Sequence, residues 1–295
     1  MIKTRIILLL FFFSFKLLYS QESFLKKGLE LFDDEQYILA QSYFEKINTD
    51  QALFYNAECS KILFLDDAEF LYEKLLFDYP ESVLNHNANI ALAEINFRKK
   101  NYLKSCRYYS IELNYLNDSQ IFNLAYSYFA SDSLVKSKLL FKKLLNSSNS
   151  CAAAAQYYYA HIAYQNKDFI SSLEWFLKLE GKTKFSDIIP YYIAQIYYQK
   201  KEYKKLILFL EYKVDNIISS RTTEVNRLLA ESYYHLENYD RAIKYFNLYF
   251  SNNNSFAKQE YYMLAFSYFK SLDNVNAIKF FEKSLGQNDT LDQIS

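Results

Sequence analysis

The feature that most restricts this chain is a repeat, a short pattern of small and large side chains that returns every 28 to 37 residues along nearly its whole length. Aligned on one small position, the copies fall at Ala40, Ala68, Ser105, Ser137, Ser172, Leu206, Ala242 and Ala277. An earlier small position reads Gly28, Ala57, Ala93, Ala125, Ala160, Ala194, Ala230 and Ala265. Four places after the later one comes a large residue: Phe44, Tyr72, Tyr109, Phe141, Phe176, Leu210, Phe246 and Phe281. Between the two small positions the pattern lapses into polar residues, as in Asp33-Asp34-Glu35-Gln36, Lys99-Lys100-Asn101 and Gln199-Lys200-Lys201-Glu202. Apolar residues at three- and four-residue spacing on both sides of a polar break predict two helices joined by a turn. Small side chains let the two backbones approach closely, while the large ring one turn later fills the groove toward the next pair. A single pair cannot cover its own apolar face, so the pairs must stack into one continuous core.

Composition closes off the alternatives. Three Gly and two Pro in 295 residues fall far below the roughly 7% and 5% of an average chain. That starves both tight hairpins and glycine-rich phosphate loops of the residues they need. Thirty Tyr and 26 Phe recur at helical spacing and read first as packing material. Tyr37, Tyr102, Phe169, Tyr203 and Tyr239 follow polar turns and are expected to open second helices. Pro80 ends a unit, because proline cannot continue a helix and restricts the residue before it. Gly181 is placed to end the fifth pair, and Pro190 to start the next, where its missing N–H is harmless.

The small and aromatic positions resemble the signature of the tetratricopeptide repeat family. The resemblance spans residues 21–286 and is carried by Gly28, Ala40, Phe44, Ala93, Tyr109, Ala125, Phe141, Ala160, Phe176, Ala194, Ala230, Ala242, Phe246, Ala265, Ala277 and Phe281. It implies an all-α, right-handed superhelical solenoid of about eight antiparallel helix pairs, acting as a scaffold for protein–protein interaction. Three departures stand out: the family's turn proline survives only as Pro80, the second unit is short, and Leu206 occupies a normally small position. At a finer level, Ala160-His161-Ile162-Ala163-Tyr164 and Ala230-Glu231-Ser232-Tyr233-Tyr234 look like the N-terminal part of large exported tetratricopeptide proteins of Bacteroidota.

The first residues speak for export. Lys3 and Arg5 precede an apolar run from Ile6 to Tyr19, interrupted by Ser14 and Lys16, and then a small residue, Ser20, and a polar start. That order is a signal peptide over residues 1–20, too short and too interrupted for a membrane span. The expected location is the periplasm or cell envelope of a Gram-negative bacterium, with no transmembrane segment after cleavage. Without those residues, 31 basic face 34 acidic side chains, a balance that gives no drive toward nucleic acid. After Leu285 the chain offers only a short polar stretch, so residues 287–295 read as a tail or the start of a further repeat.

Chemistry is thinly represented. His86, His161 and His235 lie in different units, and Cys59, Cys106 and Cys151 form no CxxC. No metal site, glycine phosphate loop or nucleophile elbow is present, so neither metal, cofactor nor enzymatic activity is expected. Asp33-Asp34 and Asp66-Asp67 read as solvated turn residues or helix-start caps. The tyrosine doublets are more informative. Neighbours on a helix point about 100° apart, so one ring of each doublet packs while the other is free to line a groove. Tyr157, Tyr158, Tyr191, Tyr192, Tyr261 and Tyr262 are the candidate residues for holding a protein or peptide along successive first helices. Such partners fit envelope assembly, secretion or motility complexes, as the resemblance implies. Two other readings use the same residues: a carbohydrate-binding module of the envelope, and a structural spacer within a larger protein.

Overall fold

The computed structural model describes residues 21–181, 185–211, 213, 219–251 and 256–285. The expected signal peptide and the C-terminal tail lie outside them. The chain falls into two compact units, Met1–Cys151 and Ala152–Ser295. The first carries α1 (21–33), α2 (Tyr37–Phe44), α3 (Asp50–Ile62), α4 (Ala68–Asp78), α5 (Asn85–Arg98), α6 (Tyr102–Ile111), α7 (Asp118–Ala130) and α8 (Leu134–Leu144). The second carries α9 (Ala152–Gln165), α10 (Phe169–Leu179), α11 (Ile189–Gln199), α12 (Tyr203–Leu210), α13 (Ser219–His235), α14 (Tyr239–Ser251), α15 (Lys258–Lys270) and α16 (Asn274–Ser284). Odd-numbered helices are the first, and even-numbered the second, members of eight antiparallel pairs. Tyr37, Tyr102, Phe169, Tyr203 and Tyr239 each open a second helix, as their position after a polar turn predicts.

The turn inside each pair is built the same way eight times. One residue takes a left-handed conformation: Glu35, Phe64, Lys100, Asp132, Lys167, Lys201, Glu237 or Leu272, with φ between 57° and 63°. The residue after it returns its N–H to a carbonyl five places back, for example Gln36 to Leu31 at 2.8 Å, Asn101 to Asn96 at 2.8 Å and Asp273 to Tyr268 at 3.0 Å. This closure satisfies carbonyls that a helix end would otherwise leave bare. Glycine is the usual occupant of such a position, since a Cβ there clashes with its own carbonyl. Here five other residue types hold it at all eight turns, which is how a chain so poor in glycine makes tight turns.

The repeating small and large positions are where the core sits. All eight early small residues and all eight later ones are buried. Of the large ones, seven are at most 1% exposed, and only Phe281, in the last described pair, is half-buried. Leu206, too large for the pattern, is accommodated with no exposure at all. At two of the three serines in the later position the hydroxyl has a reason: Ser105 Oγ donates to the Ala93 carbonyl at 3.0 Å and Ser137 Oγ to that of Ala125 at 2.8 Å. The hydroxyl thus ties the second helix to the backbone of the first at its closest approach.

Neighbouring pairs are stapled by charge as well as packing. Glu69 on α4 accepts from Lys99 at 2.9 Å, Lys104 at 3.0 Å and Asn96 at 3.1 Å, all from the next pair. Within the units, α5 packs on α7, α11 on α13, and α13 on α15. First helices therefore meet one another directly, and their side chains form a shared face.

Candidate functional site

In the second unit this shared face is a band of rings and charges. Tyr157 on α9 stacks on Phe185 with centroids 4.1 Å apart and planes 6° from parallel. Tyr192 on α11 stacks on Phe176 at 5.1 Å and 7°. The Tyr157 and Tyr192 rings meet edge to face at 6.5 Å. Tyr158 and Tyr191 extend this cluster, each edge-on to its sequence neighbour, at 5.4 and 5.3 Å. Burial pushes the phenols of Tyr157 and Tyr192 upward, so both remain neutral donors at ordinary pH. His161 lies between them, stacked on Tyr157 at 6.1 Å and edge-on to Tyr192 at 5.3 Å; its burial lowers its pKa and keeps the ring uncharged.

Beside the rings runs a polar network between α11 and α13. The Arg227 guanidinium donates to Glu224 through Nε at 3.1 Å and Nη2 at 2.5 Å, and to Glu231 through Nη1 at 2.5 Å. The Tyr198 hydroxyl donates to the other oxygen of Glu231. Gln195 Nε2 reaches both Glu224 Oε1 at 3.1 Å and the Tyr191 hydroxyl at 3.3 Å. Arg221 covers the Tyr191 ring at 4.9 Å, a cation–π contact between α13 and α11. Two carboxylates around one guanidinium leave the network one negative charge in excess, next to exposed Arg221.

Tyr261 and Tyr262 on α15 stand in separate clusters. Tyr261 packs on Phe250 at 5.3 Å and Phe256 at 5.6 Å, and Tyr262 stacks on Phe266 at 6.1 Å and meets Phe281 at 5.7 Å. All six candidate tyrosines are half-buried, so each presents an edge and invests the rest in packing. Other doublets divide more sharply. Tyr233 turns to its own second helix and stacks on Tyr245 at 5.6 Å, whereas Tyr234 faces the next first helix at Phe266, 6.0 Å away. Phe185, Glu224, Arg227 and Glu231 were absent from the sequence-predicted set. Glu231 carries a signal in hindsight, since it directly follows the small residue Ala230, as Glu58 follows Ala57 and Glu94 follows Ala93.

The remaining histidines stand apart. His86 Nδ1 meets Glu112 at 2.6 Å, and His235 stacks on Tyr203 at 4.6 Å. Among the described residues no group of three His, Cys, Asp or Glu side chains is placed to hold a metal, and no helix is long and apolar enough to cross a membrane.

No protein-family model matches the chain, and no curated protein sequence does. Solved structures do. Naa15/Naa10 bound to HypK-THB superimposes with a TM-score of 0.59 at 12% identity, over 93% of this chain and 43% of that one. YrrB, described as a TPR protein with an unusual peptide-binding site, matches with a TM-score of 0.51 at 16% identity, over 63% of this chain and 94% of its own. The fold is tetratricopeptide-like. A tetratricopeptide repeat protein from Parabacteroides merdae ATCC 43184 is 15% identical over 94% of this chain and 97% of that one, at a TM-score of 0.44.

Proposed function

We propose that this chain is an exported, non-enzymatic adaptor that holds an extended segment of a partner protein against the face of its first helices. One observation carries the reading: successive first helices α9, α11 and α13 bring tyrosine edges, an amide and paired charges into one band at the repeat spacing. Half-buried tyrosines offer large contact area with little side-chain freedom left to lose, and their hydroxyls suit peptide backbone. YrrB shares the fold and is described as having an unusual peptide-binding site, which supports peptide binding as a use of such a fold. The export part of the proposal rests on the basic, apolar and small residues in order over residues 1–20. A place in envelope assembly, secretion or motility complexes follows from the family resemblance.

A photo-crosslinking residue placed at Tyr191 or Tyr262, compared with one at Ile170 on the outer side of α10, tests the reading in cells. Capture of the same partner from both tyrosine positions and not from Ile170 is the expected result. Equal capture from Ile170, or none from any position, refutes it. N-terminal sequencing of the mature protein tests export separately, with a start near Gln21 expected and retention of Met1 opposing it.

A further inference from the structure

The first unit holds a cleft of different chemistry on the corresponding face. It is an open space of about 420 Å³ between first helices, floored by Phe54, Ile90 and Ala91 and flanked by the rings of Phe32 and Tyr55. Three charged side chains reach it, Lys61 and the carboxylate Glu58 from α3 and the carboxylate Glu94 from α5, and the two carboxylates are not alike. Their company differs. Glu58 is closed off: Lys61 sits 2.6 Å from it, the Tyr72 hydroxyl donates to it at 2.5 Å, and Lys61 itself lies 5.9 Å from the Tyr72 ring centroid. Glu94, half-buried, accepts a single bond, from the Gln120 amide at 3.2 Å. Among the described residues it has no cationic partner.

That lack is not for want of cations in sequence. Arg98 is four residues on, the spacing at which a helical Glu–Arg pair normally forms. Instead its guanidinium lies over the Phe64 ring at 5.2 Å, and Lys99 is taken by Glu69 at 2.9 Å. Gln120 is fixed in turn by its exchange with Asn117, accepting from the Asn117 N–H at 3.1 Å and donating its own backbone N–H to Asn117 Oδ1 at 3.0 Å. One neutral amide does not replace the hydration a half-buried carboxylate has lost, so a cation brought to Glu94 gains more than at an open surface. An apolar floor ending in an unmatched carboxylate fits a side chain with a methylene stem and a cationic tip, and the flanking rings add cation–π attraction.

We infer that this cleft takes the Lys or Arg side chain of an extended partner segment, with Glu94 as its counter-charge. The inference rests on the segment-binding reading of the first-helix face and narrows the partner to one that presents a basic residue. Its test pans the full chain and its Glu94→Gln variant against a displayed library of random dodecapeptides, then measures selected peptides by fluorescence polarisation. Wild type should enrich Lys or Arg at one fixed peptide position, and those peptides should bind E94Q about tenfold more weakly or worse, the scale of a hydrogen bond to a charge. Unchanged thermal unfolding of E94Q shows that the loss is local. Binders with no basic preference, or basic peptides that hold E94Q as tightly as wild type, overturn this inference while leaving segment binding standing. A library that yields no binder for either protein overturns both.

Discussion

Replacing Gly28 by alanine sets two physical effects against each other with opposite signs. Gly28 is the one early small position not already occupied by alanine. A Cβ added there would lie 2.5 Å from Phe44 Cε1, 2.9 Å from Cδ1 and 3.0 Å from Cζ. Carbon atoms in contact sit about 3.5–4.0 Å apart. The Phe44 ring is 1% exposed and packs on Tyr55 at 5.8 Å, so it has no solvent side to swing toward. Helix propensity alone favours alanine over glycine by about 1 kcal/mol, while one extra carbon in a tight core costs about 1–3 kcal/mol. The expected net is a destabilisation of up to about 2 kcal/mol. Phe44→Leu should relieve the clash, making the double variant more stable than the sum of the singles by about 1 kcal/mol. Urea unfolding followed by circular dichroism, with hydrogen exchange across α1 and α2, reads both effects. A Gly28→Ala variant that gains about 1 kcal/mol, as propensity alone dictates, or a cycle without coupling, refutes the close-approach account of the small positions.

Leu272 is 86% exposed and held at φ 63°, so Leu272→Gly should raise the melting temperature, its relief of about 1–2 kcal/mol exceeding the glycine entropy penalty; a fall would contradict the strain argument. Arg227→Met strands Glu224 and Glu231 without their guanidinium and should lose about 3 kcal/mol or more in urea unfolding, whereas a loss below about 1 kcal/mol would mean the network is solvated. For Glu69, burial raises the pKa, but the bonds from Lys99, Lys104 and Asn96 outweigh it and hold the carboxyl at about 2 against an ordinary 4.5. Its contribution is therefore present above pH 4.5 and lost as pH falls toward 2, so Glu69→Gln should flatten the urea midpoint in that window, and an unchanged profile would count against the staple. Burial pushes the Cys59 thiol up to about 12 and that of Cys106 to about 11, so iodoacetamide on the folded chain should label Cys151 first by mass spectrometry; early labelling of Cys59 would show that its pair opens readily.

The candidate site was legible only in part, and particular residues show why. The doublets indicate two directions for two rings, and Tyr233 and Tyr234 do diverge, one to its own second helix and one to the next first helix, but both are packed. Which partner each ring finds was not readable. Phe185, the ring under Tyr157, comes from the connection before α11 and has no repeat position to mark it. Tyr157 and Tyr192 stand 35 residues apart, and the contact of their rings depends on how two first helices are set side by side.

The amino-acid sequence by itself determined the helix pairs, the inner turn of five of them, and the burial of the repeated small positions, because those follow from short-range spacing repeated along the chain. It did not foretell that every turn would pass through a left-handed residue other than glycine, since the closing backbone bond, and not the residue type, enforces that conformation. Nor did it decide the fate of its charges. Glu58, Glu94 and Glu231 all follow a small signature alanine, yet Glu58 is closed by Lys61, Glu231 is wrapped by Arg227 and Tyr198, and Glu94 has no cation among the described residues because Arg98 and Lys99 turn to the preceding pair. Long charged side chains choose among neighbours within a few ångströms, and only the packing of one pair on the next settles which neighbours those are.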